Sequence, residues 1–487
     1  MSSASGHNAH AVPLVVDLDG TLVRTDTLHE GVLRLLVRSP QLLLQLPTWL
    51  AGGKAAFKRE IATRQPTDAA LLPFNAVLLE RLQAEREARP LVLCTAADAS
   101  IAEAVAAHTG LFSEVLSSDG ASNLAGQSKG QRLVDRFGVQ GFDYAGNALA
   151  DLPVFAVARE AWIVTPTVPL GLRASSVTNA TVHIGHTQSR LAAWFKALRP
   201  HQWIKNILVF IPLLTAVGVD QARMAVASLL AFVAFSAVAS GVYLVNDMID
   251  IDADRVHPRK RRRPIAAGTL PVVAAVPMAA ALLWGGFVLA WLIAPLFAAA
   301  LAVYLVVTSL YMLWLKRVPI LDSIVLATLY TMRLIGGAAA IAVVPSFWLL
   351  AFSIFFFMSL ALGKRHAELV EMADTVSTSV IPGRGYRPED LHTLIAQGNA
   401  SGYAAVVVLA LYLNDGLERH RYQYPELLAP ICLLLLYWLS KFWLNSQRRE
   451  IHEDPVIWAL TNRVSRGIAA LTVLLLLLAR WLPRPLF

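Results

Sequence analysis

Asn246-Asp247-Met248-Ile249-Asp250-Ile251-Asp252-Ala253-Asp254 follows an apolar run, Val226 to Val245, that is long enough to cross a bilayer. The stretch spaces a carboxamide and three carboxylates as N-D-x-x-D-x-x-x-D. On a helix, Asp247, Asp250 and Asp254 share one face at i, i+3 and i+7, with Asn246 beside them. The basic stretch Arg255-Val256-His257-Pro258-Arg259-Lys260-Arg261-Arg262-Arg263-Pro264 comes next. Ionisable groups at membrane depth cost about 2.5–3.5 kcal/mol each on insertion scales, so a cluster of them marks function. Acids at the mouth of a membrane helix, beside a basic loop, point to a Mg²⁺–pyrophosphate site at the lipid–water boundary.

Outward from this stretch, the chain divides by composition. It has 487 residues, 56% of them hydrophobic, and a mean hydropathy of +0.53, too apolar for a soluble protein of this length. The first 185 or so residues are mixed in polarity and hold no 20-residue apolar span. We expect an α/β domain at 1–165, a linker rich in Pro, Ser and Thr at 166–188, and an all-α membrane domain at 189–487. Nine spans are predicted, at about 205–222, 225–246, 272–293, 296–315, 320–342, 346–363, 400–416, 427–445 and 467–484. Residues 189–204 read as a basic amphipathic helix on the membrane surface. Lys and Arg concentrate in alternate loops (Arg255 to Arg263, Lys316-Arg317, Lys364-Arg365 with Arg384 and Arg387, Arg448-Arg449), which places those loops in the cytoplasm. The polar N-terminus, Met1 to Ala11, lacks a signal-peptide core and keeps the soluble domain on the same side of the cytoplasmic membrane. The net charge of +8 sits in loops and suits anionic lipid or phosphate. No basic stripe with interleaved aromatics speaks for nucleic acid. Cys94 and Cys432 imply neither a disulfide framework nor a metal site.

In the soluble part, Val15-Val16-Asp17-Leu18-Asp19-Gly20-Thr21-Leu22 is an apolar strand ending in D-x-D-G-T-L. Asp17, at the strand's C-terminal edge, is placed for in-line attack on phosphorus, and Asp19 for protonating the leaving oxygen. Strands are predicted at 13–18, 91–95, 144–146 and 162–164, with helices between them, which means a parallel sheet with helices on both faces. The motif resembles motif one of the haloacid-dehalogenase phosphohydrolase superfamily, over roughly residues 12–165. The resemblance implies that Thr95 binds the phosphate, that Lys129 balances charge, and that Gly146-Asn147-Ala148-Leu149-Ala150-Asp151 carries the Mg²⁺ ligands with Asp17. It also implies a small helical cap from Asp26 to about Arg64. Asn147 stands where an acid is usual, and an amide brings no charge to the metal.

In the membrane part, the aspartate motif resembles the UbiA-type prenyltransferase superfamily, which bundles nine helices around a cytoplasmic cavity. Leu198-Arg199-Pro200-His201-Gln202-Trp203-Ile204-Lys205-Asn206 and the segment His257 to Gly268 are similar to its decaprenyl-phosphate phosphoribosyltransferase branch. So are Leu321-Asp322, Arg333, the segment Lys364 to Leu369, and Glu453-Asp454-Pro455-Val456. A second D-x-x-x-D is missing after span six, where Lys364, Arg365 and Glu368 stand instead. That fits a change of donor, and the resemblance to this branch implies phosphoribosyl pyrophosphate as donor and a polyprenyl phosphate as acceptor. Asn246, Asp247, Asp250 and Asp254 would then hold Mg²⁺ on the leaving pyrophosphate. Lys205, Asn206, Arg261, Tyr311, Lys316, Asp322, Arg333, Lys364, Arg365 and Glu368 would line the substrate site.

Together these features read as two consecutive steps fused in one chain, phosphoribosyl transfer and then removal of the 5-phosphate. Two other readings stand beside this one. The first is prenyl transfer from an isoprenoid pyrophosphate to an aromatic acceptor. The second is a transporter or lipid scaffold carrying a relic phosphatase. Arg259 and Arg262 also fit a merely topogenic loop, Tyr311 an interfacial anchor, and the Phe352–Phe357 run lipid-facing packing. Polyprenyl length and oligomeric state stay open, a homo-oligomer included.

Overall fold

The computed structural model describes residues 11–164, 168–178, 181–185, 189–215, 220–373, 385–414, 422–451 and 455–481. The glutamate–aspartate segment Glu453-Asp454, together with Arg384, lies outside them. The chain forms two compact units, Met1–Pro200 with Ser240–Ala281, and His201–Ala239 with Leu282–Phe487.

The first unit is built on a parallel sheet. Strands β1 (Leu14–Val16), β2 (Leu91–Asp98), β3 (Glu114–Ser118), β4 (Asp143–Gly146), β5 (Ala161–Val164) and β6 (Thr181–Ile184) lie in the order β3-β2-β1-β4-β5-β6. β1 and β4 are fully buried, as strands covered by helices on both faces must be. The sequence expectation missed β3 and β6. Both are edge strands, and mixed polarity at an edge leaves no apolar run to read. β6 and the helix Val168–Val177 also occupy the segment expected to be linker. The order reverses between β1 and β4, so the carboxyl end of β1 opens a crevice where ligands bind. Asp17 follows β1 at that point.

Helices α1 (Thr27–Arg38), α2 (Leu46–Ala51) and α3 (Lys54–Arg64) occupy the segment expected to be a helical cap. Asp26 caps α1, its Oδ1 accepting from the His29 N–H at 3.0 Å. The far side of α1 carries an ion network to Asp252, inside the aspartate motif, and to Arg255, just past it. Arg34 Nη2 lies 2.8 Å from Asp252 Oδ1 and 3.1 Å from Glu30 Oε2. Arg255 Nη1 donates to the same Glu30 carboxylate at 2.8 Å. Glu30 is 1% exposed. Glu30→Gln leaves Arg34 and Arg255 short of a buried counter-charge. We expect a loss of about 3–5 kcal/mol, as for breaking one side of a buried pair. Thermal unfolding of the purified full-length chain checks this, and an unshifted transition would contradict it.

Among the described residues, seven helices are long and apolar enough to cross a membrane, not nine: Gln221–Ile249, Val272–Ile293, Pro295–Leu313, Leu321–Ala340, Phe347–Glu371, Pro388–Asn414 and Pro425–Gln447. The first and last expected spans drop out. Pro200–Phe210 is a 3₁₀ segment followed by the five-residue helix Ile211–Thr215, with Pro212 inside it. The terminal helix Arg463–Trp481 carries Arg463, Arg466 and Arg480. The surface helix also ends early. It runs Arg190–Leu198 and stops at Arg199, in the left-handed region before Pro200. The second unit packs its helices around Phe357, Leu360, Trp438, Phe442 and Trp443.

Candidate functional site

At the carboxyl edge of the sheet, D-x-D-G-T-L closes on itself. Gly20 has φ +76°, and a Cβ there would overlap the Asn147 side chain, so only glycine fits the turn. Lys129 Nζ donates to Asp17 Oδ1 at 2.6 Å and to Tyr144 Oη at 3.0 Å. Burial opposes charge on Lys129, but Asp17 beside it holds its pKa above the ordinary lysine value. Asp19 Oδ1 accepts from the Thr27 N–H at 2.8 Å, which ties it to the first residue of the cap helix. Burial, with Asp26 nearby, pushes Asp19 up to about 7. It therefore carries a transferable proton near neutrality, as a general acid requires. Asp17, Asp19, Thr95, Lys129, Asn147 and Asp151 line one cavity of about 190 Å³ under the cap, which adds Thr27, Gly31 and Lys58. Sequence reasoning missed Lys58. It comes from α3, donates to the Ala96 carbonyl at 2.7 Å, and is lowered by burial.

The donor set fits Mg²⁺ only in part. Asp17 Oδ2 has no hydrogen-bond partner among the described residues. Asn147 Oδ1 accepts from Thr21 at 3.1 Å. Asp151 Oδ2 accepts from the N–H groups of Asn147 and Ala148 at 3.1 and 2.9 Å, and its Oδ1 from Tyr144 at 3.1 Å. Burial raises Asp151 to about 6. Asp151 thus also braces the loop.

The aspartate motif departs from one continuous helix. The long helix Gln221–Ile249 ends before Asp250, and a short helix, Ile251–Val256, begins after it. Two acids still converge. Arg263 Nη1 bridges Asp247 Oδ1 at 3.1 Å and Asp254 Oδ2 at 2.6 Å, and Arg199 pairs with the same Asp247 oxygen. Asp247 and Asp254 are 1% and 2% exposed, whereas Asn246 and Asp250 are half-buried. No group of three or more His, Cys, Asp or Glu gathers to hold a metal among the described residues. An arginine nitrogen sits between two members of the expected acid cluster. Sequence reasoning named neither Arg199 nor Arg263 as a site residue. The available signal was that each directly precedes a proline, which restricts its backbone. Arg261 belongs elsewhere, on an exposed loop lining a separate cleft.

The second unit holds two further polar groups. Asn206 Oδ1 accepts from Arg333 Nε at 2.9 Å, and its amide donates to Ser236 at 3.1 Å. Arg333 also donates to the Leu329 carbonyl at 2.6 Å and to Tyr304 at 3.0 Å. Lys205 Nζ lies 5.9 Å from the Tyr330 ring centre. In the other group, Arg365 donates to Asp322 at 2.5 Å, Glu368 at 2.6 Å and Tyr311 at 2.9 Å. Tyr386, another residue missed in the sequence, donates to Asp322 and accepts the Ile320 N–H at 2.8 Å. Ile320 sits at φ +65°, a strained conformation for a β-branched residue. Arg365 is fully buried with all three nitrogens engaged. Three of its five N–H donors are used in these contacts, so Arg365 braces Asp322, Glu368 and Tyr311. Lys316 and Lys364 are half-buried.

Comparison with known proteins adds the family context. The profile described as the UbiA prenyltransferase family matches residues 207–460. An uncharacterized protein of Sinorhizobium fredii, y4nM, is 37% identical over 465 residues, 94% of this chain and 89% of that protein. A decaprenyl-phosphate phosphoribosyltransferase of Mycolicibacterium smegmatis is 39% identical over 189 residues, 38% of this chain and 59% of that protein. A solved UbiA homolog from Archaeoglobus fulgidus, bound to GPP and Mg²⁺, aligns with a TM-score of 0.44 at 15% identity, covering 58% of this chain and 96% of that one.

Proposed function

The chain belongs to the UbiA prenyltransferase family, and from that premise we propose that it transfers 5-phosphoribosyl from phosphoribosyl pyrophosphate to a polyprenyl phosphate at the cytoplasmic face of the membrane. The soluble half then removes the 5-phosphate from the lipid product. One observation carries the reading. A single compact unit holds both a buried acidic pair on arginines, Asp247 and Asp254 with Arg199 and Arg263, and a phosphomonoester-type constellation of Asp17, Asp19 and Lys129. The relatedness to a decaprenyl-phosphate phosphoribosyltransferase supports the choice of donor and acceptor.

In the first step a lipid phosphate oxygen bonds to the anomeric carbon, and that carbon's bond to pyrophosphate breaks with its electron pair. The attacking phosphate is already an anion, so no strong base is required. Asp247, Asp250 and Asp254 would hold Mg²⁺, which neutralises charge on the departing pyrophosphate. Arg199 and Arg263 supply further positive charge at the same place. In the second step Asp17 attacks phosphorus while Asp19 protonates the leaving ribose oxygen. Lys129 donates to Asp17 and fixes its carboxylate, and Thr95 lines the cavity that receives the phosphoryl group. Water then hydrolyses the aspartyl phosphate with Asp19 as base.

A second reading, a relic phosphatase, is favoured by Asn147 and by the full engagement of Asp151.

The test incubates purified protein with labelled phosphoribosyl pyrophosphate, Mg²⁺ and polyprenyl phosphate. Label in lipid, protected by unlabelled phosphoribosyl pyrophosphate, is the expected result. Protection by geranylgeranyl-type pyrophosphates alone would move the assignment to prenyl transfer.

A further inference from the structure

The first unit contains a cleft of about 810 Å³ that none of the residues of the two proposed reactions lines, apart from Arg261. Five cationic side chains face it (Arg24, Lys196, Arg255, Arg261 and Arg262) and no aspartate or glutamate. Two of these are fixed by the fold. Arg255 is held by Glu30 and by the Ala266 carbonyl at 3.0 Å, and Lys196 Nζ donates to the Arg262 carbonyl at 2.8 Å. Among the described residues, only Arg255 of these five has its charge met by an acid. Arg24, Arg261 and Arg262 have no ion-pair partner among the described residues. Four uncompensated cations around one cleft repel one another unless an anion sits between them, and arginine meets phosphate with paired donors.

The walls show where that anion comes from. One wall is apolar, built by Leu71, Leu72, Pro73 and Phe74. The helix Arg190–Leu198 also lines the cleft, with Ala192, Ala193 and Lys196. One turn apart on that helix, Leu191 and Phe195 are 78% and 67% exposed, an apolar face of the kind that lies in a lipid surface. The cleft floor is fixed as well. Gly268 has φ +70°, and a Cβ there would come within 2.8 Å of the Arg24 Cβ, so the basic loop and the loop bearing Arg24 are packed together.

We propose that this cleft binds the phosphate of an anionic membrane lipid, with Arg24, Arg262 and Lys196 on the headgroup and the lipid chains against Leu191 and Phe195. The site is separate from the acidic pair and does not depend on the donor assigned to it.

Binding of labelled phosphatidylglycerol to the full-length protein in a neutral detergent tests the proposal, with phosphatidylcholine, inorganic phosphate and pyrophosphate as competitors. Saturable binding that phosphatidylcholine does not displace is expected. Arg24→Gln with Arg262→Gln should weaken it about tenfold or more, since each cation near an anionic lipid surface contributes on the order of fivefold. Arg24→Lys with Arg262→Lys should retain most of it. Leu191→Ser with Phe195→Ser, on the exposed face, should weaken lipid binding and leave any pyrophosphate binding unchanged. This second pair also serves if the arginine variants do not fold. Undiminished phosphatidylglycerol binding in either weakened pair overturns the proposal. So does full displacement by pyrophosphate with no effect of the Leu191 and Phe195 changes, which would make the ligand a free phosphate compound.

Discussion

Asp247→Asn lowers the rate of phosphoribosyl transfer by about 10²-fold or more, the scale of removing one electrostatic contact made in the transition state. The expectation follows from the position of Asp247 at the centre of the acidic pair. It is 1% exposed and meets both Arg199 and Arg263. Asparagine keeps the shape but removes the charge that a pyrophosphate-bound cation and two guanidiniums all require. In a water-filled cavity such a change would leave folding almost untouched. The buried ion pairs alter that expectation. Arg263 keeps Asp254 as a partner, whereas Arg199 loses its acid, so stability should fall by roughly 1–3 kcal/mol, the cost of a lost charged hydrogen bond. The two effects separate by experiment. Transfer rate is measured well below the variant's unfolding temperature, across a range of Mg²⁺ concentrations. A folded variant that transfers at the wild-type rate would remove Asp247 from the reaction.

The second large effect belongs to the soluble half. Under the proposed reactions, Asp17→Asn should remove the nucleophile and make the 5-phosphorylated lipid accumulate, while phosphoribosyl transfer continues. Asp17 is held at 2.6 Å by Lys129 on the sheet edge, and the attacking atom is its carboxylate oxygen, for which an amide cannot substitute. The measurement is the ratio of phosphorylated to dephosphorylated lipid in wild type and variant. The same ratio in both, with no phosphate released from lipid by wild type, would make the soluble half a relic or assign it another substrate. Asn147 and the engaged Asp151 bear on how strongly this half holds Mg²⁺, so the assay is run at saturating Mg²⁺.

Local pattern settled much about this protein. The apolar tripeptide Leu14–Val16, the D-x-D-G-T-L turn and the alternation of strands and helices lead to a parallel sheet, with Asp17 at its carboxyl edge, because each depends on neighbours a few residues away. The long apolar runs gave the membrane character in the same way. The i, i+7 spacing brought Asp247 and Asp254 to one partner although the helix breaks at Asp250. Edge strands, span count and charge pairing needed the tertiary structure. Residues 200–215 are apolar enough to read as a span, yet their prolines and packing make short helical pieces. Arg333 and Arg365 read as phosphate ligands, and only the fold shows that Arg333 meets Asn206 and Tyr304, and Arg365 meets Asp322 and Glu368. Glu30 with Arg255, 225 residues apart, and Arg199 with Asp247, 48 apart, form pairs that no local period encodes. The physical reason is that a side chain's type fixes what it can bind, while the partner it finds depends on which distant backbone the packed core carries to within hydrogen-bond reach.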